Sequence, residues 1–497
     1  MNDTAKSEIS ALAAALALGI LGDVLLRSFP WGLNFAVWVG VLAGAIAFLA
    51  GLNGAALQGA GLWMFVPLAF FSLAFLWHDS TALDALNLLA LLTSFTLLIR
   101  RAQGGRLRVS SLTGYALAAI TATLNSAFGM FPLLFGATEW KKLLNGQSRR
   151  AVAGLRGALL ALPLLLVFGA LFMGADAVFK TLVRHIFDFN FTHFFVIAFI
   201  TFGVGGYLRG VLFGKELQRV AGARLAPPAL GAIEMVIMLG LLDLLFLAFV
   251  VVQIRYFFGG AALVHATTGL TYAEYARRGF FELLAVAAIL LPLLLLIHWL
   301  LPRDNTAVQR WFQGLAGTQV ALLFIIMASA FQRMRLYQAE YGLSEQRLYP
   351  TAFMGWLAVV FVWFCYTVLH GHRERFAFGA VLAGFLLIAV LQILNPDALI
   401  AKTNLARAQA GHRFDAEYAG DLSSDAVPEL AAGLTALEPR QRCVLAVILL
   451  QRLSKAEESG WRSWNFSRAQ ARKALKENEP AIRAAVCSKP DFSGTMH

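Results

Sequence analysis

Residues Phe280 to Leu301, FFELLAVAAILLPLLLLIHWLL, decide the architecture of this chain. At a helical rise of about 1.5 Å per residue, a stretch of about 20 apolar residues crosses the hydrocarbon core of a bilayer. Similar segments recur on both sides of it: Ile9 to Leu26, Asn34 to Leu52, Gly61 to Trp77, Ala82 to Ile99, Gly157 to Ala175, Phe194 to Phe213, Ala232 to Phe257, Phe312 to Phe331, Ala352 to Leu369 and Phe376 to Leu394. Within lipid the backbone must satisfy its own hydrogen bonds, and helices do this segment by segment. The pattern predicts an all-α polytopic transmembrane helical bundle of about 11–12 crossings, with a small helical C-terminal extension.

Composition agrees. Of 497 residues, 59% are hydrophobic and 14% charged, where soluble domains carry about 25% charged residues. The formal charge of +12 comes from Lys and Arg in short connections between apolar segments, where they act as topology signals. No nucleic-acid partner is expected. The first 26 residues superficially resemble a signal peptide, but Lys6 stands against Asp3 and Glu8 and many apolar segments follow, so they read as a first crossing.

The stretch Ser111 to Trp140 is ambiguous, being rich in Thr121, Thr123, Asn125, Ser126 and Gly129 and interrupted by Pro132. Arg100, Arg101, Arg106 and Arg108 precede it and Lys141, Lys142, Arg149, Arg150 and Arg156 follow it. A single crossing would export one of these basic loops, so a re-entrant or interfacial segment at 111–140 fits the positive-inside bias better. Alternation then places Lys215, Arg219 and Arg224, then Arg303 and Arg310, then Arg373 and Arg375 on the same inner side. The N-terminus falls in the cytoplasm and the tail outside, in the periplasm of a Gram-negative cell.

Two regions are predicted: a transmembrane domain over 1–394 and a soluble helical region over 395–497. In the tail, Pro396 suits a first helical turn, Ser423 or Ser424 can cap a helix with Asp425 in its first turn, and Gly460 breaks the apolar periodicity. Cys443 and Cys487 both lie there. They form a disulfide if the tail is outside, or stay as two thiols if it is inside.

Asp243, in the middle of Ala232 to Phe257, is the first candidate for a substrate-binding group, because a carboxylate at bilayer depth normally faces protein or a watery cavity. Thr271 and Glu274 have capping-box spacing, and Glu274, Arg278 and Glu282 follow at steps of four on one helical face at a membrane entrance. That ladder can receive a charged headgroup, or simply cap and anchor the helix. His412, Asp415 and Glu417 do not share one helical face, and the acidic residues Asp421 and Asp425 look like helix starts and turns rather than metal ligands. No metal and no cofactor are expected, and no HExxH, GxSxG or Walker loop is present.

Three separated motifs carry a family resemblance: TYAEYARRGFFEL at Thr271 to Leu283, YGLSEQRLYPTAFMGWL at Tyr341 to Leu357, and NPDALIAKTNLAR with DAEYAGDLSSDAVPEL in the tail, together with WRSWNFSRAQAR at Trp461 to Arg472. The chain resembles an uncharacterised bacterial multi-pass membrane family, domain of unknown function four-one-seven-three, close to its sister four-one-five-three. The resemblance implies a bacterial inner-membrane protein and no established activity. The matching residues include Tyr272, Tyr275, Arg277, Tyr341, Gly342, Arg347, Asn395, Asn404, Asp425 and Pro428. Arg347 joins Asp243, Glu274, Arg278 and Glu282 as a candidate substrate-binding residue, since motif residues in loops serve sites more readily than lipid-facing faces do.

The leading functional expectation is a permease-like protein that binds or moves a small or lipid-linked solute. One alternative is a membrane scaffold or sensor that binds a protein partner through its helical tail. Another is an enzyme acting on envelope lipids or lipid-linked sugars, with Glu274 or Glu282 as acid or base. Membrane lipids are partners in every case.

Overall fold

The computed structural model describes residues 3–52, 59–105, 107–108, 112–135, 190–214, 231–268, 272–301, 305–456 and 460–487. The expected crossing Gly157 to Ala175, the part of the ambiguous stretch beyond Phe135, and the basic residues Lys215, Arg219, Arg224 and Arg303 lie outside the described residues.

The apolar runs become helices α1 (Asp3–Leu26), α2 (Leu33–Leu52), α3 (Phe65–Trp77), α4 (Thr81–Ala102), α5 (Leu112–Phe128), α6 (Met130–Phe135), α7 (Asn190–Phe213), α8 (Ala232–Thr268), α9 (Tyr272–Leu300), α10 (Thr306–Tyr341), α11 (Glu345–Thr367) and α12 (Phe376–Leu394). Among the described residues, nine helices are long and apolar enough to cross a membrane. The protein is a polytopic α-helical membrane bundle. Helix α10 has 36 residues, more than the roughly 20 a crossing needs, so its last turns project beyond the membrane and reach the tail.

Two apolar cores hold the membrane helices together. One joins α1, α2, α3, α4 and α7 around Phe35, Phe71, Phe75 and Leu208. The other joins α8, α9, α10 and α11 around Phe280, Phe312, Phe361 and Phe364. In the first, α1 and α7 approach closely at Gly19, where an added Cβ would overlap Thr201. Likewise Gly206 of α7 leaves room for the backbone carbonyls of Asn125 and Ser126 at the end of α5. Gly205, Gly206 and Gly210 of α7 thus serve close helix packing, as small residues do in membranes. Leu241, Leu244 and Leu245 of α8 point outward, as expected of a lipid-facing side.

Beyond Leu394 the composition turns polar and the helices shorten: α13 (Pro396–Gln409), α14 (Ala416–Asp421), α15 (Val427–Gly433), α16 (Pro439–Ala456), α17 (Phe466–Glu477) and α18 (Glu479–Ala484). These share a third core built on Ile400, Leu430, Leu445 and Leu449. Local chemistry sets their starts. Asn395 caps α13 by accepting the Ala398 N–H at 3.4 Å, with Pro396 in the first turn. Asp415 caps α14 by accepting the Tyr418 N–H at 3.0 Å. Cys443 and Cys487 are bonded, with Cα atoms 5.7 Å apart, tying the end of the tail to α16.

The tail sits against one end of the bundle. It meets the start of α2 (Leu33 N–H to the Trp464 carbonyl, 2.9 Å), the end of α3 and the loop between α10 and α11. Arg100 and Arg101 in the last turn of α4, and Arg373 and Arg375 before α12, lie at the opposite end.

Candidate functional site

The largest concentration of buried polar groups lies where the tail meets the membrane helices. Asp425 sits in a single helical turn that Ser423 caps. Its carboxylate accepts the Asp79 N–H at 2.8 Å and the Ser423 hydroxyl at 3.1 Å, and lies 2.7 Å from Nδ1 of His78. The other ring nitrogen of His78 is 2.8 Å from the Gln392 carbonyl, which can only accept, so Nε2 carries a hydrogen. Nδ1 and the Asp425 carboxyl therefore share a second proton between them. Both residues are almost wholly buried. Gln392 in turn donates its side-chain amide to Asn87 of α4 at 2.8 Å.

Beside this pair, Asp79 meets Arg468 of α17 at 2.9 Å and accepts the Ser424 hydroxyl at 2.5 Å. Burial pushes the Asp79 carboxyl above the ordinary carboxylate range, opposed by the pull of Arg468. Asp397, on the first turn of α13, is also pushed up by burial, with the nearby Asp425 adding to the effect and Ser423 working against it. Arg468 also donates to the carbonyls of Trp31 and Ser463. Asn465, 1% exposed, donates to the carbonyls of Phe75 and His78 at 2.8 and 2.7 Å while its oxygen caps α17. It thereby satisfies carbonyls at the end of α3 that have no intrahelical partner.

A second set of contacts holds the end of α10. Asn404 of α13 pairs with both backbone groups of Leu343, at 2.8 Å each. Gly342 adopts φ +78°, and an added Cβ there would collide with the Asn404 side-chain oxygen, so both the turn and the close approach require glycine. Arg347 donates to the carbonyls of Tyr341 and Gly342 and lies 4.3 Å from the ring centre of Tyr337. Arg407 donates to the carbonyls of Ala339 and Glu340. Two cations thus meet the negative end of one helix.

Two cavities open between these contacts. The smaller, about 480 Å³, is lined by Asp79, Glu345 and Asp397 together with Arg452, Arg468 and Arg472. The larger, about 1110 Å³, lies between the α10–α11 turn and the start of α14, with Glu345, Arg347, His412 and Arg440 in its lining. Glu345 borders both.

The candidates named from sequence are dispersed. Arg347 lies at this junction. Asp243 lies in the membrane core of α8, with both carboxylate oxygens covered and without a hydrogen-bond partner among the described residues. Glu282 is exposed on α9. Helix α9 is described from Tyr272, and Thr271 and the side chains of Glu274 and Arg278 lie outside the described residues. Sequence reasoning passed over His78, Asp79, Asn465 and Arg468. The available signal was the polar run His78-Asp79-Ser80 between two apolar helices, together with Asn87 inside α4 and Gln392 inside α12.

No curated protein and no solved structure matches the chain. Residues 65–433 match the family described as Domain of unknown function (DUF4153), a region that holds His78, Asp79, Arg347, Asn404 and Asp425 and ends before Asn465 and Arg468. The chain therefore belongs to the DUF4153 family rather than to family four-one-seven-three, which its loop and tail motifs resemble.

Proposed function

We propose that this protein is a permease-like component of a bacterial inner membrane that binds a small or lipid-linked zwitterionic solute at the tail-side mouth of the helical bundle. The observation that carries this reading is the smaller cavity, where carboxylates and guanidinium groups face one space. An ammonium group would sit against Glu345 and Asp397, and a phosphate or carboxylate would take the fork of Arg452 or Arg472. Arg347, on the larger cavity, would guide the charged end of the solute inward.

The basic residues of the described loops favour a cytoplasmic position for the end away from the tail. The N-terminus is then cytoplasmic and the tail periplasmic, where an oxidising compartment suits the Cys443–Cys487 bond. A tail acting as a free arm for a protein partner has less support, because Asn404, Asp425, Asn465 and Arg468 are engaged with the membrane domain.

The test uses the full chain in lipid nanodiscs, titrated with phosphoethanolamine, amino acids and their singly charged analogues. The expected result is saturable binding of a zwitterion that Glu345→Gln and Arg472→Ala each weaken at least tenfold, with melting unchanged. Preference for a singly charged analogue, or binding indifferent to both substitutions, overturns the reading.

A further inference from the structure

Helices α8 and α10 are joined through α9 by connections of only a few residues, so each neighbouring pair runs antiparallel and α8 and α10 run parallel. Their register follows from one side-chain contact: Gln253 of α8 accepts the Ser329 hydroxyl of α10 at 2.9 Å, and Arg333 one turn further on at 2.7 Å. Counting back from Gln253 and Ser329 in the alternating steps of three and four that keep a packed seam in contact gives Val250 with Ile326, then Phe246 with Leu322, then Asp243 with Gln319, then Leu239 with Leu315. The apolar members of these layers all belong to one packed cluster. On this register Asp243 and Gln319 fall in one layer, separated from the Gln253–Ser329 contact by two apolar layers. Gln319 is 0% exposed, and neither its amide oxygen and nitrogen nor the two carboxylate oxygens of Asp243 have a hydrogen-bond partner among the described residues.

We propose that Asp243 and Gln319 form an intramembrane proton-binding site, distinct from the cavities at the tail. A carboxylate at this depth calls for a proton, a cation or a paired side chain. The layer supplies two carboxylate oxygens and one amide oxygen, whereas hard metal cations take about six or more oxygen ligands. One proton is enough. With Asp243 protonated, its O–H donates to the Gln319 amide oxygen and its carbonyl oxygen accepts from the amide N–H, which is a complementary pair. With the proton gone, only the amide donor remains matched, so the seam distinguishes the two states.

Among the described side chains, charged and titratable groups on α8 and on the helices packed against it stand in other layers. On α10, Arg310 lies at the helix start and Arg333 at the Gln253 layer, with Arg335, Tyr337, Glu340 and Tyr341 beyond it. On α9, His298 lies against Phe312, nearer the start of α10, and Glu282 is exposed toward the other end. On α8 itself Glu234 is in the first turn. The inference rests on helix register and stands or falls independently of solute binding at the tail.

The experiment is difference infrared spectroscopy of the full chain in nanodiscs, with ¹³C-labelled aspartate, between about pH 4 and pH 9. A protonated carboxyl band that disappears with rising pH is expected, absent in Asp243→Asn and displaced in midpoint by about one pH unit in Gln319→Leu. Asp243→Glu, which keeps the acid, should restore a titrating band. A titrating band unchanged in Asp243→Asn overturns the proposal, and so does an Asp243 band that stays constant across the range. Loss of the band on adding Na⁺ at fixed pH overturns it in favour of a metal cation.

Discussion

The tail junction and the α8–α10 seam both bury polar side chains, but they partner them to different degrees. At the junction, His78, Asp79, Asp425, Asn465 and Arg468 each meet at least one specific partner, and several meet two or three. In the seam, Asp243 and Gln319 face one layer with their polar atoms unmatched. Interlocked contacts of this kind define one geometry, because each group would be costly to bury alone, although Asn87, Gln392 and Asp397 beside them each keep a buried polar atom without a hydrogen-bond partner among the described residues. An unsatisfied pair holds back its hydrogen-bonding capacity for something that arrives. The junction is thus chiefly architecture with cavities left beside it, and the seam is where the membrane core keeps chemistry in reserve.

The comparison is broken most directly by removing one partner of a buried ion pair. Arg468→Ala leaves the Asp79 carboxylate facing Ser424 alone and should cost about 3–5 kcal/mol, read as a loss of tail protection in limited proteolysis of the full chain. Asn465→Ala strands the carbonyls of Phe75 and His78 and removes the α17 cap, for about 2–3 kcal/mol by thermal unfolding in detergent. Should either variant leave tail protection unchanged, the tail is held mainly by its apolar contacts. Gly342→Ala forces a side chain into a left-handed turn against Asn404, with an expected loss of about 1–2 kcal/mol in the same melt. An unchanged melt would mean that the α10–α11 turn relaxes at no cost.

The smallest expected effect is a pH slope. Asp79 and Asp397 are both raised by burial from 3.8, so the docked tail binds their protons more tightly than an undocked one. Their contribution is present below about pH 4 and is lost as pH rises through their raised values. Tail protection followed upward from acid pH should weaken over that window, and Asp397→Asn should flatten part of the slope. A slope of opposite sign would mean that the Arg468 pairing outweighs burial.

Much of the fold was legible because crossing a bilayer is a local property. Phe376–Leu394 spans whatever its neighbours are, and Asn395 with Pro396 starts the next helix from a few adjacent atoms. The tail cap at Ser423 was legible for the same reason. Gly342 and Asn404 could be noticed as motif positions, but their purpose is a contact across 61 residues. The tail's grip on the membrane domain was less accessible still, since Asp425 meets His78 across 347 residues and Asn465 reaches Phe75 across 390.

Sequence alone therefore determined that the chain enters a membrane, where its helices run and where its polar tail begins, because hydrophobicity, helix length and capping act within a few turns. Tertiary structure decided which polar groups meet across long stretches of chain, which cavities remain beside them, and the register of α8 on α10 at Gln253 and Ser329. Those outcomes depend on which helices touch and in what register, and hydrocarbon surfaces that are equally apolar on many faces do not encode that choice locally.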